Sequence, residues 1–201
     1  YKGLHLIIDA LAGLNAQGRD FRMVFVGDGG NRDEVEQAAR DGGIYEKCVF
    51  TGAVCDRETI RQWYTASDLF VFPSTFDTNG LVVREAASCA LASVLVRGSC
   101  AAEGITDGET GYLIDENAES LRAVLGRVCD DRRAFRETGE RAMNGIYVSW
   151  EDSVAAARER YMAVLDGFRS GKRMEKPDSR VFSLQAELLD AIAESRRRSR
   201  E

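Results

Sequence analysis

The sequence predicts an α/β fold: a doubly wound parallel sheet with helices on both faces, followed by C-terminal helices. Three observations predict it: short apolar runs of strand length, helical patterns between them, and turns carrying glycine or Pro-Ser where the runs end. From Gly3 onward, Leu4, Ile7, Ile8, Leu11 and Leu14 recur at helical spacing and stop at Gly18, which marks an amphipathic helix. Residues 22–26 then form a near-continuous apolar run closed by Gly27-Asp-Gly-Gly30, the pattern of a strand buried on both faces. A polar helix over 32–41 follows. The alternation repeats as strand 48–51, helix 57–66, strand 68–72, helix 80–90, strand 93–96, short strand 112–114 and helix 117–129. A helix starting at Gly3 ordinarily follows a strand, so the domain is expected to lack its first strand and the chain to be truncated upstream. Beyond Ile114 the reading is helical, and over 150–165 Trp150, Val154, Ala157, Tyr161 and Leu165 fall on one face. A break is expected from Gly167 to Pro177, then a last helix over about 181–198 that buries Leu184, Leu188 and Ile192. The expected organisation is therefore a ligand-binding domain over 1–168, a linker over 169–180 and a C-terminal helical segment over 181–201.

Composition narrows the chemistry. The 201 residues carry a net charge of −6, which argues against nucleic acid as a partner. Any anion must be bound locally. His5 is the only histidine, which excludes His-based triads and multi-histidine metal sites and leaves carboxylates, a lysine or backbone amides to act. His5 itself is expected to be structural. The five cysteines, at 48, 55, 89, 100 and 129, show no zinc-like spacing and read as reduced thiols, most of them packing residues, in a soluble cytoplasmic protein.

Ligands of open parallel sheets bind beyond the carboxyl ends of the strands, which directs attention to the turns 27–30, 52–56, 73–80 and 97–104. The most informative is the third. A strand runs out at Pro73, a polar loop carries Asp77 and Asn79, and Gly80 opens a helix whose first amides have no helical partner. The amides from Asn79 through Gly80 to Leu81, with the helix dipole, can hold a diphosphate without a cationic surface. Glu85 can reach the same crevice with a carboxylate suited to vicinal hydroxyls, and Asp77 can bind a second polyol. On spacing alone, an equal alternative is an Asp-Thr-Asn cap with Glu85 paired to Arg84 or Arg57. Gly27-Asp-Gly-Gly30 is no dinucleotide fingerprint, because Arg32 stands where the third glycine belongs. The loop 98–103 offers either backbone amides to a ligand or a plain turn.

Over roughly residues 1–165 the chain resembles the C-terminal, donor-binding domain of retaining GT-B glycosyltransferases of the group 1, or family 4, type. Asp77 and Glu85 have that family's acidic-pair separation before a small-residue helix. Tyr1-Lys2-Gly3 resembles its Lys-Gly at the first helix, Val24-Phe-Val-Gly27-Asp-Gly29 its strand ending in Gly-x-Gly, and Phe50-Thr-Gly-Ala-Val54 the loop whose backbone reads the base. Residues 68–74 resemble the strand leading to the acidic pair, and Glu103 with residues 107–113 the closing segment. The resemblance implies a Rossmann-like half of a GT-B fold that transfers a hexose with retention from a nucleoside diphosphate sugar, UDP-sugar favoured, to a lipid or glycan acceptor. Lys2 would contact the diphosphate and Asp77 the sugar, with Gly27, Gly29, Val54, Asn79, Gly80, Leu81 and Glu85 completing the donor site. Neither metal nor cofactor is expected. The acceptor would bind a missing N-terminal domain, onto which the last helix would pack, and the full-length protein would touch the inner face of a membrane peripherally. Two departures stand out: Asp77 replaces the family's usual glutamate, and Ala90-Leu-Ala92 replaces its Gly-x-Pro, expected to be a packing change. A sugar-nucleotide epimerase and a non-catalytic nucleotide-sugar module are the rival readings.

Overall fold

The computed structural model describes residues 2–78 and 80–170, in two compact units that meet between Val148 and Ser149. The first unit alternates as expected: α1 (Leu4–Ala16), β1 (Met23–Val26), α2 (Arg32–Asp41), β2 (Cys48–Gly52), α3 (Arg57–Ala66), β3 (Phe70–Phe72), α4 (Leu81–Ser88), β4 (Ser93–Val96), β5 (Tyr112–Ile114), α5 (Ala118–Asp130) and α6 (Arg132–Gly145). All strand pairings are parallel. They form two ladders, β1-β2 and β3-β4-β5, with Met23 opposite Cys48, Phe70 opposite Ser93 and Val94 opposite Tyr112.

One apolar cluster serves both ladders. It joins Ile7, Ile8 and Leu11 of α1 to Val94 and Val96 of β4, Ile114 of β5 and Leu121 and Val124 of α5, with Phe25, Phe50 and Val71 against its side. Each such side chain taken fully out of water contributes about 1.5–3 kcal/mol. β4 is buried at all four positions, as its apolar sequence requires of a central strand. Helix starts follow side-chain caps where the sequence supplies them. Asp56 accepts from the Thr59 N–H at 2.8 Å, and Asn117 from the Ser120 N–H at 2.8 Å. The hydrogen bonds from Thr59 hold the Asp56 carboxyl below the usual range.

α6 has no counterpart among the elements assigned from the sequence. Asp131 ends α5 and caps α6 in the same residue, leaving no loop to mark the boundary. Phe135, Thr138, Gly139 and Ala142 form its buried face, and the Thr138 hydroxyl meets that of Tyr112 at 3.0 Å. Gly139 lets α6 ride on the turn after α4: a Cβ there would stand 2.0 Å from the Ala90 carbonyl oxygen. Ala90 itself has φ 54°, the one left-handed non-glycine among the described residues. The change from Gly-x-Pro is thus more than packing, since alanine now sits in a backbone conformation that suits glycine. Ala90→Gly is expected to stabilise the protein by about 0.5–1 kcal/mol, relief of the left-handed strain exceeding the entropy of the more flexible unfolded chain. A rise in the urea midpoint at constant slope would show it; a fall would mean the strain is absent.

The cysteines depart partly from expectation. All five are free; Cys55 and Cys100 are exposed and the rest are half-buried. Burial pushes the Cys48 thiol up to about 11. His5 lies on the surface, its Nε2 3.2 Å from Glu34 Oε1 across α1 and α2.

In the second unit, α7 (Trp150–Arg169) opens on Ser149, whose hydroxyl accepts from the Asp152 N–H at 3.0 Å. The helix continues through Gly167, where a break was expected, because its last turn is held by the Ser170 N–H to the Asp166 carbonyl at 2.9 Å. Most of the expected linker and the helix over 181–198 lie outside the described residues. Among the described residues no helix is long and apolar enough to cross a membrane.

Candidate functional site

Within each ladder the strands are parallel, so the turns after β1 and β2 lie at the carboxyl edge of one ladder and those after β3 and β4 at the carboxyl edge of the other. They meet in pairs. The Gly27 N–H donates to the Gly52 carbonyl at 3.0 Å, tying the turn after β1 to the turn after β2. Gly80 lies against Ala101, where a Cβ would stand 3.0 Å from the Ala101 Cα, which joins the loop after β3 to the loop after β4. The start of α1 belongs to the second pair. Gly3, at φ 67°, is so close to Pro73 that a Cβ would fall 2.4 Å from its carbonyl oxygen. Exposed Lys2 therefore projects from beside the end of β3. Exposed Gly27 and Gly29 and half-buried Val54 sit at the end of the β1-β2 ladder.

Within the 73–80 loop, Asp77 Oδ1 accepts from the Gly80 N–H at 2.6 Å. The bond spans three residues within the loop and ends on Gly80, the N-cap residue of α4, which has no side-chain cap bond of its own. It also takes one of the amides expected to meet a diphosphate. The Leu81 N–H, in the first turn of α4, has no hydrogen-bond acceptor among the described residues, as the first amides of a helix generally do not. Gly80 is buried at φ 56°, a conformation that glycine adopts without strain. Asn79 lies outside the described residues.

Glu85 does not pair with Arg84 or Arg57. Arg84 instead donates to the Ile146 carbonyl at 2.9 Å, tying α4 to the end of α6. Glu85 is exposed on α4, and its carboxylate receives the Tyr64 hydroxyl at 3.4 Å. Tyr64 stands on α3 with its ring edge-to-face on Phe70, centroids 5.5 Å apart. Burial first, and the Glu85 charge second, push the Tyr64 phenol well above its ordinary value, so it remains a donor. Sequence reasoning did not single out Tyr64. Its position in the last turn and a half of α3 was legible, but its meeting with Glu85 across 21 residues was not.

Ser99 was also missed. Its hydroxyl, in the loop after β4 that packs on Gly80, is buried with no hydrogen-bond partner among the described residues. An open cleft of about 660 Å³ lies elsewhere, lined by Asp107, Tyr112, Leu113, Ser120, Val124 and Arg127. It contains none of the candidate residues and no convergent set of polar groups beyond its own structural bonds, so the edge beside α4 remains the better site.

Comparison with known proteins gives the family and the fold. Residues 1–144 fit the family model "Glycosyl transferases group 1". A GDP-mannose-dependent alpha-(1-6)-phosphatidylinositol monomannoside mannosyltransferase of Mycolicibacterium smegmatis is 27% identical over 165 residues, 78% of this chain and 43% of that protein. The chain thus spans less than half of that relative's length. The crystal structure of the C-terminal domain of a glycosyl transferase group 1 family protein from Francisella tularensis superposes with a TM-score of 0.64 at 24% identity, covering 72% of this chain and 77% of that one. Anabaena HepE in complex with UDP-glucose superposes with a TM-score of 0.63 at 27% identity, covering 72% and 40%. With the family model spanning both ladders, α4 and most of α6, the chain belongs to the group 1 glycosyl transferases.

Proposed function

We propose that this chain is the donor-binding domain of a retaining glycosyltransferase, moving a hexose from a nucleoside diphosphate sugar to a lipid or glycan acceptor. The observation that supports the reading is the loop after β3, where Asp77 meets Gly80 just before α4 and Gly3, next to Lys2, packs on Pro73. In this reading Lys2 and the first amides around Leu81 take up charge on the leaving diphosphate, Asp77 orients the sugar and Glu85 holds the ribose hydroxyls. Gly27, Gly29 and Val54 line the nucleotide's other end, and Asn79 completes the loop over the diphosphate. A cation and a helix end together supply charge without a metal.

UDP-glucose is bound by HepE, which supports a UDP-sugar, whereas the M. smegmatis relative is named for GDP-mannose, so both belong in the test. The acceptor would bind a part of the full-length protein outside these 201 residues. The phosphatidylinositol acceptor in that relative's name supports a lipid and work in the cytoplasm at the inner face of a membrane.

Calorimetric titration of the chain with UDP, GDP and ADP, in EDTA, is expected to show binding by at least one and no sugar transfer from the matching donor. Absence of binding by all three would remove the reading. Glu85→Ala is expected to weaken the binding nucleotide by about 1.5–3 kcal/mol, the worth of hydrogen bonds to a charged group. Unchanged affinity there would remove Glu85 from the ribose site.

A further inference from the structure

The described carboxylate of Glu85 has one hydrogen-bond donor, the hydroxyl of Tyr64, brought from a different helix. A glutamate on an exposed helix face ordinarily samples several rotamers, and ordering one costs on the order of 1.5–2 kcal/mol of side-chain entropy. Whatever holds the carboxylate in place before a ligand arrives removes part of that cost from binding. We infer that Tyr64 is a positioning residue: from α3 it steadies one oxygen of Glu85 and so presents the other to the hydroxyls of a bound ribose.

Three features fit that role. Tyr64 is itself immobilised, half-buried and set edge-to-face on Phe70, the first residue of β3, which in turn stacks on Phe72 with centroids 5.8 Å apart. The anchor of Glu85 therefore rests on the strand that leads into the 73–80 loop, so the acidic pair and the loop share one support. The chemistry also fits. An ionised carboxylate only accepts, a phenol that stays protonated donates, and the contact occupies Oε2 while Oε1 has no bond to a described residue. At 3.4 Å the bond is long, as catalytic and binding contacts often are before the ligand tightens them. Lastly, Arg84 is drawn away to the Ile146 carbonyl, so no neighbouring cation competes for Glu85 among the described residues.

The inference rests on the proposed ribose role of Glu85, and the test separates the two. Tyr64→Phe keeps the ring on Phe70 and removes only the hydroxyl. UDP and GDP are titrated into the wild-type chain, Tyr64→Phe, Glu85→Ala and the double variant, alongside the 2′,3′-dideoxy form of each nucleotide. Thermal melting of each variant confirms folding. Tyr64→Phe is expected to weaken the ribonucleotide about 3- to 10-fold, the worth of one neutral donor, and to leave the dideoxy form unchanged. In the Glu85→Ala background the same change is expected to cost nothing further. Equal weakening of both nucleotide forms, no weakening at all, or a loss that persists without Glu85 would overturn the positioning role while leaving the donor site standing. Glu85→Ala without effect would remove Glu85 from the ribose site and the positioning role with it, and no binding by UDP, GDP or ADP would overturn the donor site and the positioning role together.

Discussion

Gly139→Ala is expected to destabilise the protein by about 3 kcal/mol, at the upper end of what overpacking a buried site costs. At an ordinary helical position the same exchange stabilises by nearly 1 kcal/mol, so the sign alone is diagnostic. The reversal follows from distance. A methyl group at 139 would meet the Ala90 carbonyl oxygen at 2.0 Å, its carbon at 2.7 Å and the Ala92 nitrogen at 3.0 Å, all of them backbone atoms that cannot swing aside. Either α6 lifts off the turn, opening the Thr138–Tyr112 bond and the cluster around Ala142 and Ile146, or the turn carrying left-handed Ala90 is displaced. Urea unfolding followed by circular dichroism measures the loss. A variant as stable as the parent would show that α6 does not depend on this close approach.

Gly80→Ala is expected to act on both stability and binding. The residue would have to hold φ 56°, a left-handed conformation costing about 1–2 kcal/mol outside glycine. Its methyl group would press on Ala101, 3.0 Å from the Cα and 3.3 Å from the carbonyl oxygen. A loss near 2 kcal/mol of stability is expected, on the order of the strain alone. Nucleotide affinity should fall as well, because in the proposed reading the same residue holds the Asp77 loop and the first amides of α4 at the diphosphate. Paired unfolding and titration curves test this. Wild-type affinity in a destabilised variant would mean that the α4 amides do not contact the diphosphate.

These two expectations come from contacts that no pattern in the chain announces. No element was assigned from the sequence around Gly139, and the change at Ala90 was expected to be one of packing only. What the residues show unaided is the alternation. Apolar runs such as 23–26 and 93–96 sit where β1 and β4 form, because a strand covered on both faces has no polar side to display. α6 escaped notice because Asp131 serves two helices at once and leaves no turn residues between them.

The candidate site divides along the same line. Its location at the 73–80 loop was legible, because strand ends and helix starts are local features and ligands of parallel sheets collect where the two adjoin. The partners of its side chains were not. Asp77 could have faced a sugar or its own helix, and the fold gives one oxygen to Gly80. Glu85 could have met Arg84, one residue away, and instead meets Tyr64 from α3.

By itself, then, the sequence determined the order and type of the elements up to α5, the turns at the strand ends, and the resemblance to the family that the comparison bears out. Periodicity, caps and glycine turns act over a few residues, and the alternating βα pattern leaves few ways to pack. Only the tertiary structure decided which donor each carboxylate meets and where glycine is obligatory. Those outcomes depend on distances between segments far apart in the chain, set by how α3, α4 and α6 come to rest around the strands.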